Sequence, residues 1–228
     1  MIVNPLMKMC MLRILFFSLV FFSVVSCSVS RSSYSPSKKY SPQQLQKDYS
    51  FFRGALEESH PGLYWYTSKN EMTRYFDWGQ NQLSDSLTEL QFRQVLSYVA
   101  AKINCGHTVL RGSKAYARFR DTGNTKIFPL SLKLWEDSSS ADFITAAISA
   151  NLIRNDSTLR RGVEIKKING LPVSFLLDTF SKFISSDGYN LTHKYQTLSN
   201  RGGFGSAYTS LFGAKDNYLI DYTDSAGK

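Results

Sequence analysis

The chain has 228 residues, 43% of them hydrophobic and 20% charged, which fits a folded globular protein and excludes a disordered or low-complexity one. With 16 Phe and 13 Tyr it has enough large side chains for a core that needs no disulfide or metal staple. The net charge is +9; Lys8 and Arg13 fall in the first 26 residues, which hold no acid, and the remaining +7 is scattered without aromatic interleaving, so no nucleic-acid partner is expected.

Residues 1–26 place Lys8 and Arg13 ahead of an apolar run from Ile14 to Val25, broken only by Ser18 and Ser23. Twelve residues are too few to span a bilayer, so the run reads as the core of a secretory signal. It ends in Val24-Val25-Ser26-Cys27, which resembles the bacterial lipoprotein signal, in which the cysteine is lipidated and becomes the mature N-terminus. Cys27 is therefore the expected lipidation site, and the lipid anchor implies a membrane partner and a periplasmic or outer-membrane location. Cys10 leaves with the leader and Cys105 stands alone, so the mature chain has no intramolecular disulfide. Residues 27–40, rich in serine, read as a flexible tether.

Three helices are predicted from three start signals, each a Ser or Thr followed three residues later by Gln or Glu: Ser41/Gln44, Ser68/Glu71 and Thr88/Gln91. Apolar residues follow at helical spacing: Leu45, Tyr49, Phe52 and Leu56; Met72, Tyr75, Phe76 and Leu83; Phe92, Val95, Leu96, Val99 and Ile103. Core packing accounts for these stripes. Between the first two helices, His60-Pro61-Gly62 forces a turn ahead of Leu63-Tyr64-Trp65-Tyr66. These aromatics have two readings: they pin the loop and His60 onto the core, or Tyr64 and Trp65 line a substrate groove.

The third helix is expected to end at Asn104-Cys105-Gly106, with Gly106 in a left-handed cap, and to hand over to His107-Thr108. Such a boundary holds an imidazole on packed structure within reach of a cleft, although a capping or packed histidine is the plain alternative. Lys114 to Lys126 reads as a loop.

A strand from Leu130 and another around Phe143 to Ile148 predict a hairpin. In Leu159-Arg160-Arg161-Gly162-Val163-Glu164-Ile165-Lys166-Lys167-Ile168-Asn169-Gly170-Leu171-Pro172-Val173, Ile165 and Ile168 are core positions and Asn169-Gly170 is a hairpin-turn signal. Further helices are expected over Ser174 to Ile184 and within Leu191 to Phe212. Arg201 to Gly205 reads as a flexible connection, Ser206 as a loop or helix-cap serine, and Tyr218 to Tyr222 as a last strand. The fold class is α+β, a helical bundle over 41–112 followed by a β-rich module with inserted helices over 126–228. His60 and His193 lack acids or cysteines at ligand spacing, so neither a metal nor another cofactor is expected.

The stretch from Leu159 resembles the most recognisable segment of PDZ domains through Leu159, Gly162, Ile165, Ile168, Asn169, Gly170 and Val173, with Val163 where an acid is usual. The order of lipoprotein leader, His60-Pro61-Gly62-Leu63-Tyr64-Trp65-Tyr66, Cys105-Gly106-His107-Thr108, PDZ-like stretch and Ser186-Asp187-Gly188-Tyr189-Asn190 resembles the front part of tail-specific, tricorn-like serine peptidases. These are also called C-terminal processing peptidases, and the likeness is to Bacteroidetes-type lipoprotein members. The resemblance implies proteolysis of peptides or unfolded protein tails outside the cytoplasm, with His107 as general base for a serine. It also implies that the serine lies in an α/β domain after the PDZ-like module, which this chain stops short of, so the chain alone is expected to be inactive. A non-enzymatic peptide-binding lipoprotein is the alternative, and the oligomeric state stays open.

Overall fold

The computed structural model describes residues 34–123, 125–138, 144–153 and 157–223; the leader, Cys27, the tether as far as residue 33 and Phe143 lie outside them. All three capping boxes form. Ser41, Ser68 and Thr88 each accept from the amide three residues on, while Gln44, Glu71 and Gln91 return a bond to the cap amide. Each box satisfies two helix-terminal donors and starts α1 (Pro42–Ser59), α2 (Lys69–Asn81) and α3 (Glu89–Ala101). Their apolar faces meet in two buried clusters, one of Leu63, Met72, Phe76, Val99 and Ile103, the other of Leu45, Tyr49, Leu83 and Val95.

Residues 34–40 of the expected tether pack on the domain. The last two form β1 (Lys39–Tyr40), antiparallel to β2 (Leu87–Thr88), and the Tyr34 ring packs 5.5 Å from Tyr116 and 5.1 Å from Phe119. The expected loop from Lys114 contains a helix, α4 (Lys114–Asp121). Ser113 caps it by accepting from the Tyr116 amide and is itself tied through its amide and hydroxyl to Glu89, while Arg118 and Arg120 complement the last turn. No residue of α4 is buried, and its short apolar stripe, Ala115, Tyr116 and Phe119, is outnumbered by Lys, Arg and Asp, the composition that reads as a loop.

The β half is a five-stranded antiparallel sheet. β3 (Leu130–Glu136) and β4 (Ile144–Asn151) form the predicted hairpin, and β5 (Glu164–Ile168) continues the sheet. Asn169 and Gly170 take φ of 51° and 79°, as the two-residue hairpin turn requires, and lead to β6 (Leu171–Pro172). β7 (Ile220–Thr223) also pairs with β5. Helices α5 (Val173–Ser181), α6 (Leu191–Ser199) and α7 (Gly203–Phe212) contribute to the core over this sheet, in which Leu132, Ile148, Ile165, Ile168, Phe180 and Phe204 are buried. The chain is thus an α+β protein.

The expected flexible connection around Gly203 and Gly205 is instead the first turn of α7. A Cβ on Gly203 would stand 2.3 Å from the Thr197 carbonyl oxygen, and one on Gly205 3.0 Å from that of Phe128. These glycines therefore serve close packing, and only Gly202, at φ 76°, serves the turn. Residues 34–223 belong to one compact unit, in which Tyr98 meets Phe183 at 5.7 Å and the Gln94 amide donates to the Ser210 carbonyl. Among the described residues no helix is long and apolar enough to cross a membrane.

Candidate active site

The loop from Asn104 to Thr108 follows directly from the end of α3. Ala101 closes the helix and Asn104 reverses the chain at φ 55°, so the left-handed position falls on Asn104 and not on Gly106 as expected. Asparagine tolerates this region because its amide bonds locally, here from Nδ2 to Thr67 Oγ1 at 3.3 Å and to the Lys102 carbonyl at 3.4 Å. Thr67 in turn donates to the Lys102 carbonyl at 2.5 Å.

Gly106 is needed for a different reason, the approach of residues 185–189. Its amide donates to Asp187 Oδ1 at 2.7 Å, and a Cβ there would sit 3.3 Å from the same oxygen. The Gly188 amide donates to the Asn104 carbonyl at 2.9 Å and the Ser185 hydroxyl to the Thr108 carbonyl at 2.7 Å. On the other side, His60 caps α1 and faces the loop: its Nδ1 accepts from the Gly62 amide at 3.2 Å, and Nε2 lies 2.8 Å from Thr108 Oγ1. A ring whose Nδ1 accepts carries its proton on Nε2, so the bonds assign the neutral tautomer that donates to Thr108. Two segments distant in sequence thus grip the loop from both sides.

His107 projects from this loop, exposed, and its side chain makes no hydrogen bond or ion pair with any described residue. Cys105 is half-buried against the cluster of Leu63, Met72 and Ile103, so its thiol serves packing. Of the two readings of the aromatic run, pinning to the core holds for His60 and Leu63 but not for the three rings that follow: Tyr64, Trp65 and Tyr66 are exposed, Trp65 by 77%. The Trp65 ring lies over Gly62, where an added Cβ would meet it at 3.0 Å. Tyr189, 78% exposed, donates from its hydroxyl to the Tyr66 carbonyl at 3.0 Å and extends this aromatic surface. Sequence reasoning placed Ser186-Asp187-Gly188-Tyr189-Asn190 only in an order of motifs and missed that Ser185 and Asp187 hold the loop and that Tyr189 bonds the aromatic run.

The charge beside the loop is mixed, the Asp187 carboxylate bonding it directly and Lys102 lying just past the end of α3. Burial, reinforced by Lys182, holds the Lys102 ammonium below the usual lysine range, and burial, reinforced by Lys102, does the same to Lys194. Lys102 compensates by lying 4.3 Å over the Tyr98 ring, and Lys194 by donating to the Ser181 carbonyl at 2.7 Å. Among the described residues, no three His, Cys, Asp or Glu side chains come together as metal ligands. Chemically the arrangement offers one thing, a free imidazole on a fixed loop, able to take a proton from a hydroxyl brought to it.

Structural comparison defines what this fold resembles. The chain is similar to CPAF, a chlamydial serine protease, in a serine-to-alanine mutant (TM-score 0.50, 15% identity) and in the mature form complexed with lactacystin (TM-score 0.51, 14% identity). The fold is protease-like. Each match covers 82% of this chain but only 32% and 33% of the respective CPAF chain, so the chain spans about a third of that protein's length. No family model and no curated sequence matches it.

Proposed function

We propose that this chain is the N-terminal, non-nucleophile portion of a secreted serine peptidase that cleaves peptides or protein tails, with His107 as its general base. The observation that carries the reading is the exposed, unbonded imidazole of His107 on a loop gripped by His60 on one side and by Ser185 and Asp187 on the other. Chemistry of this kind needs a base that is fixed in space yet free to exchange a proton. The protease-like fold adds support. The strands from Leu130 onward act as a PDZ-like module presenting the substrate, and the Cys27 lipid holds the protein at a membrane outside the cytoplasm.

Two assays test this. The chain alone is expected to leave casein intact and to resist labelling by a fluorophosphonate, and turnover of casein by it overturns the reading. A longer chain expressed from the same reading frame is expected to hydrolyse casein, with His107→Ala lowering kcat by about a thousandfold or more at unchanged melting temperature. Activity indifferent to that substitution removes His107 from the mechanism. Metabolic labelling with palmitate, lost in Cys27→Ser, tests the anchor.

The exposed surface of Tyr64, Trp65, Tyr66 and Tyr189 favours a second reading, a non-enzymatic lipoprotein that holds peptides. That reading expects an unfolded peptide to shift the Trp65 emission of the chain alone, and Trp65→Ala to weaken binding by tenfold or more.

A further inference from the structure

At the other end of α3 from His107, a half-open cavity of about 450 Å³ is bordered by the start of that helix, α4, residues 125–127, the far half of α7 and Tyr34. The 13 residues of α3 put it roughly 20 Å from the His107 loop, so nothing about it depends on the peptidase reading. Its walls are apolar, formed chiefly by Leu90, Tyr116, Phe119 and Ile127. Two threonines from separate elements join them, Thr125 and Thr209, whose hydroxyl oxygens are shielded from solvent and have no hydrogen-bond partner among the described residues. Both threonines line the cavity, and a rotation about χ1 exchanges the positions of hydroxyl and methyl, so a change of rotamer is the step that would offer these hydroxyls to a ligand. Elsewhere in the chain a buried hydroxyl such as that of Tyr49 has its acceptor, here the Phe76 carbonyl at 2.8 Å.

The charged side chains that line the cavity have one sign. Arg120 and Lys126 line it, and no Asp or Glu does. Both cations turn outward to exposed carboxylates, Arg120 to Asp121 at 3.1 Å and Lys126 to Asp216. Exposed pairs of this kind contribute little, so either cation can exchange its partner for a better-placed anion at small cost. An apolar chamber of this size with two spare hydroxyls and two exchangeable cations matches an anionic head on an apolar body.

We propose that this cavity binds a small monocarboxylate with an apolar body of about ten carbons, the carboxylate held by Arg120, Lys126 and the turned hydroxyls of Thr125 and Thr209. The test is calorimetric titration of the full chain with decanoate below its micelle concentration, beside decanol as the uncharged control. Saturable 1:1 binding is expected, at least tenfold weaker for decanol. Arg120→Ala with Lys126→Ala is expected to raise the Kd tenfold or more, and Thr209→Val threefold or more at unchanged melting temperature. Ala214→Trp, on the exposed loop that closes the chamber, fills the mouth and is expected to abolish binding. Absence of saturable binding to the folded chain, decanol binding as tightly as decanoate, or binding unaffected by the threonine and charge substitutions overturns the proposal. The charge and threonine variants keep it testable if Ala214→Trp fails to fold.

Discussion

A methyl group on Gly106 would stand 3.3 Å from Asp187 Oδ1 and 3.5 Å from the Asp187 amide nitrogen, so a residue 81 positions further along favours glycine here. That bond joins a backbone donor to a carboxylate, the stronger class of hydrogen bond, but Asp187 is exposed and water competes for it. Asp187→Ala is therefore expected to cost only about 1 kcal/mol in urea unfolding. Its local effect is larger than its global one: the Gly106 amide, released to solvent, should exchange its hydrogen at least tenfold faster, and unchanged exchange would show that Asp187 does not hold the loop. Thr108→Val tests the opposite grip. It removes the acceptor of His60 Nε2, and because half-buried His60 can turn to water the expected cost is again about 1 kcal/mol. The Cys105-Gly106-His107-Thr108 motif was legible as a loop at a helix end because Gly and His carry that signal locally. Its partners were not, since Ser185 and Asp187 meet it only through the tertiary fold.

Among the elements, α1 and α2 meet where Gly79 faces Tyr49. A Cβ on Gly79 would lie 2.2 Å from the Tyr49 hydroxyl oxygen and 2.7 Å from its ring carbon Cζ, and that hydroxyl already donates to the Phe76 carbonyl. Tyr49 is buried, so it has nowhere to retreat. Gly79→Ala is expected to destabilise the protein by roughly 1–3 kcal/mol through overpacking, despite the better helix propensity of alanine. In a Tyr49→Leu background the ring is gone and the same methyl has room, so the two costs should not add; additivity in a double-mutant cycle refutes the contact. The same elements show what a sequence discloses. A capping box is complete within four residues, and all three were found from Ser41, Ser68 and Thr88 alone. The cap of α4 is also local, Ser113 accepting from the Tyr116 amide, but it lacks the Gln or Glu three residues on that completes a box, and its brace from Glu89 comes from 24 residues away. The glycines that begin α7 are set by Phe128 and Thr197, and contacts of that range leave no local pattern, which is why that segment reads as a loop.

At the scale of the whole molecule, opposing sets of ionisable groups shape stability in alkali. Lys102 and Lys194 are held below the usual lysine range, first by burial and then by a neighbouring lysine. Below their folded values both states are protonated and the folded state bears the desolvation penalty; as pH rises toward about 10.4, the unfolded chain keeps protons that the folded chain has released, so stability increases. Tyr49, Tyr34, Tyr98 and Tyr195 are displaced upward, each chiefly by burial. Their contribution is present below about pH 10 and is lost above it, because the unfolded chain then ionises phenols that the folded chain keeps neutral. The urea midpoint should therefore climb as pH rises through the weakly alkaline range and turn over near pH 10, with the climb discounted for the half-exposed lysines. Loss of net positive charge pushes in the same direction as the lysines, and Lys102→Met separates the two. That substitution leaves most of the +9 charge in place but removes the buried ammonium, so it should raise stability at pH 8 and flatten the climb. A climb of unaltered slope in Lys102→Met assigns the effect to net charge and removes the buried lysine from the account.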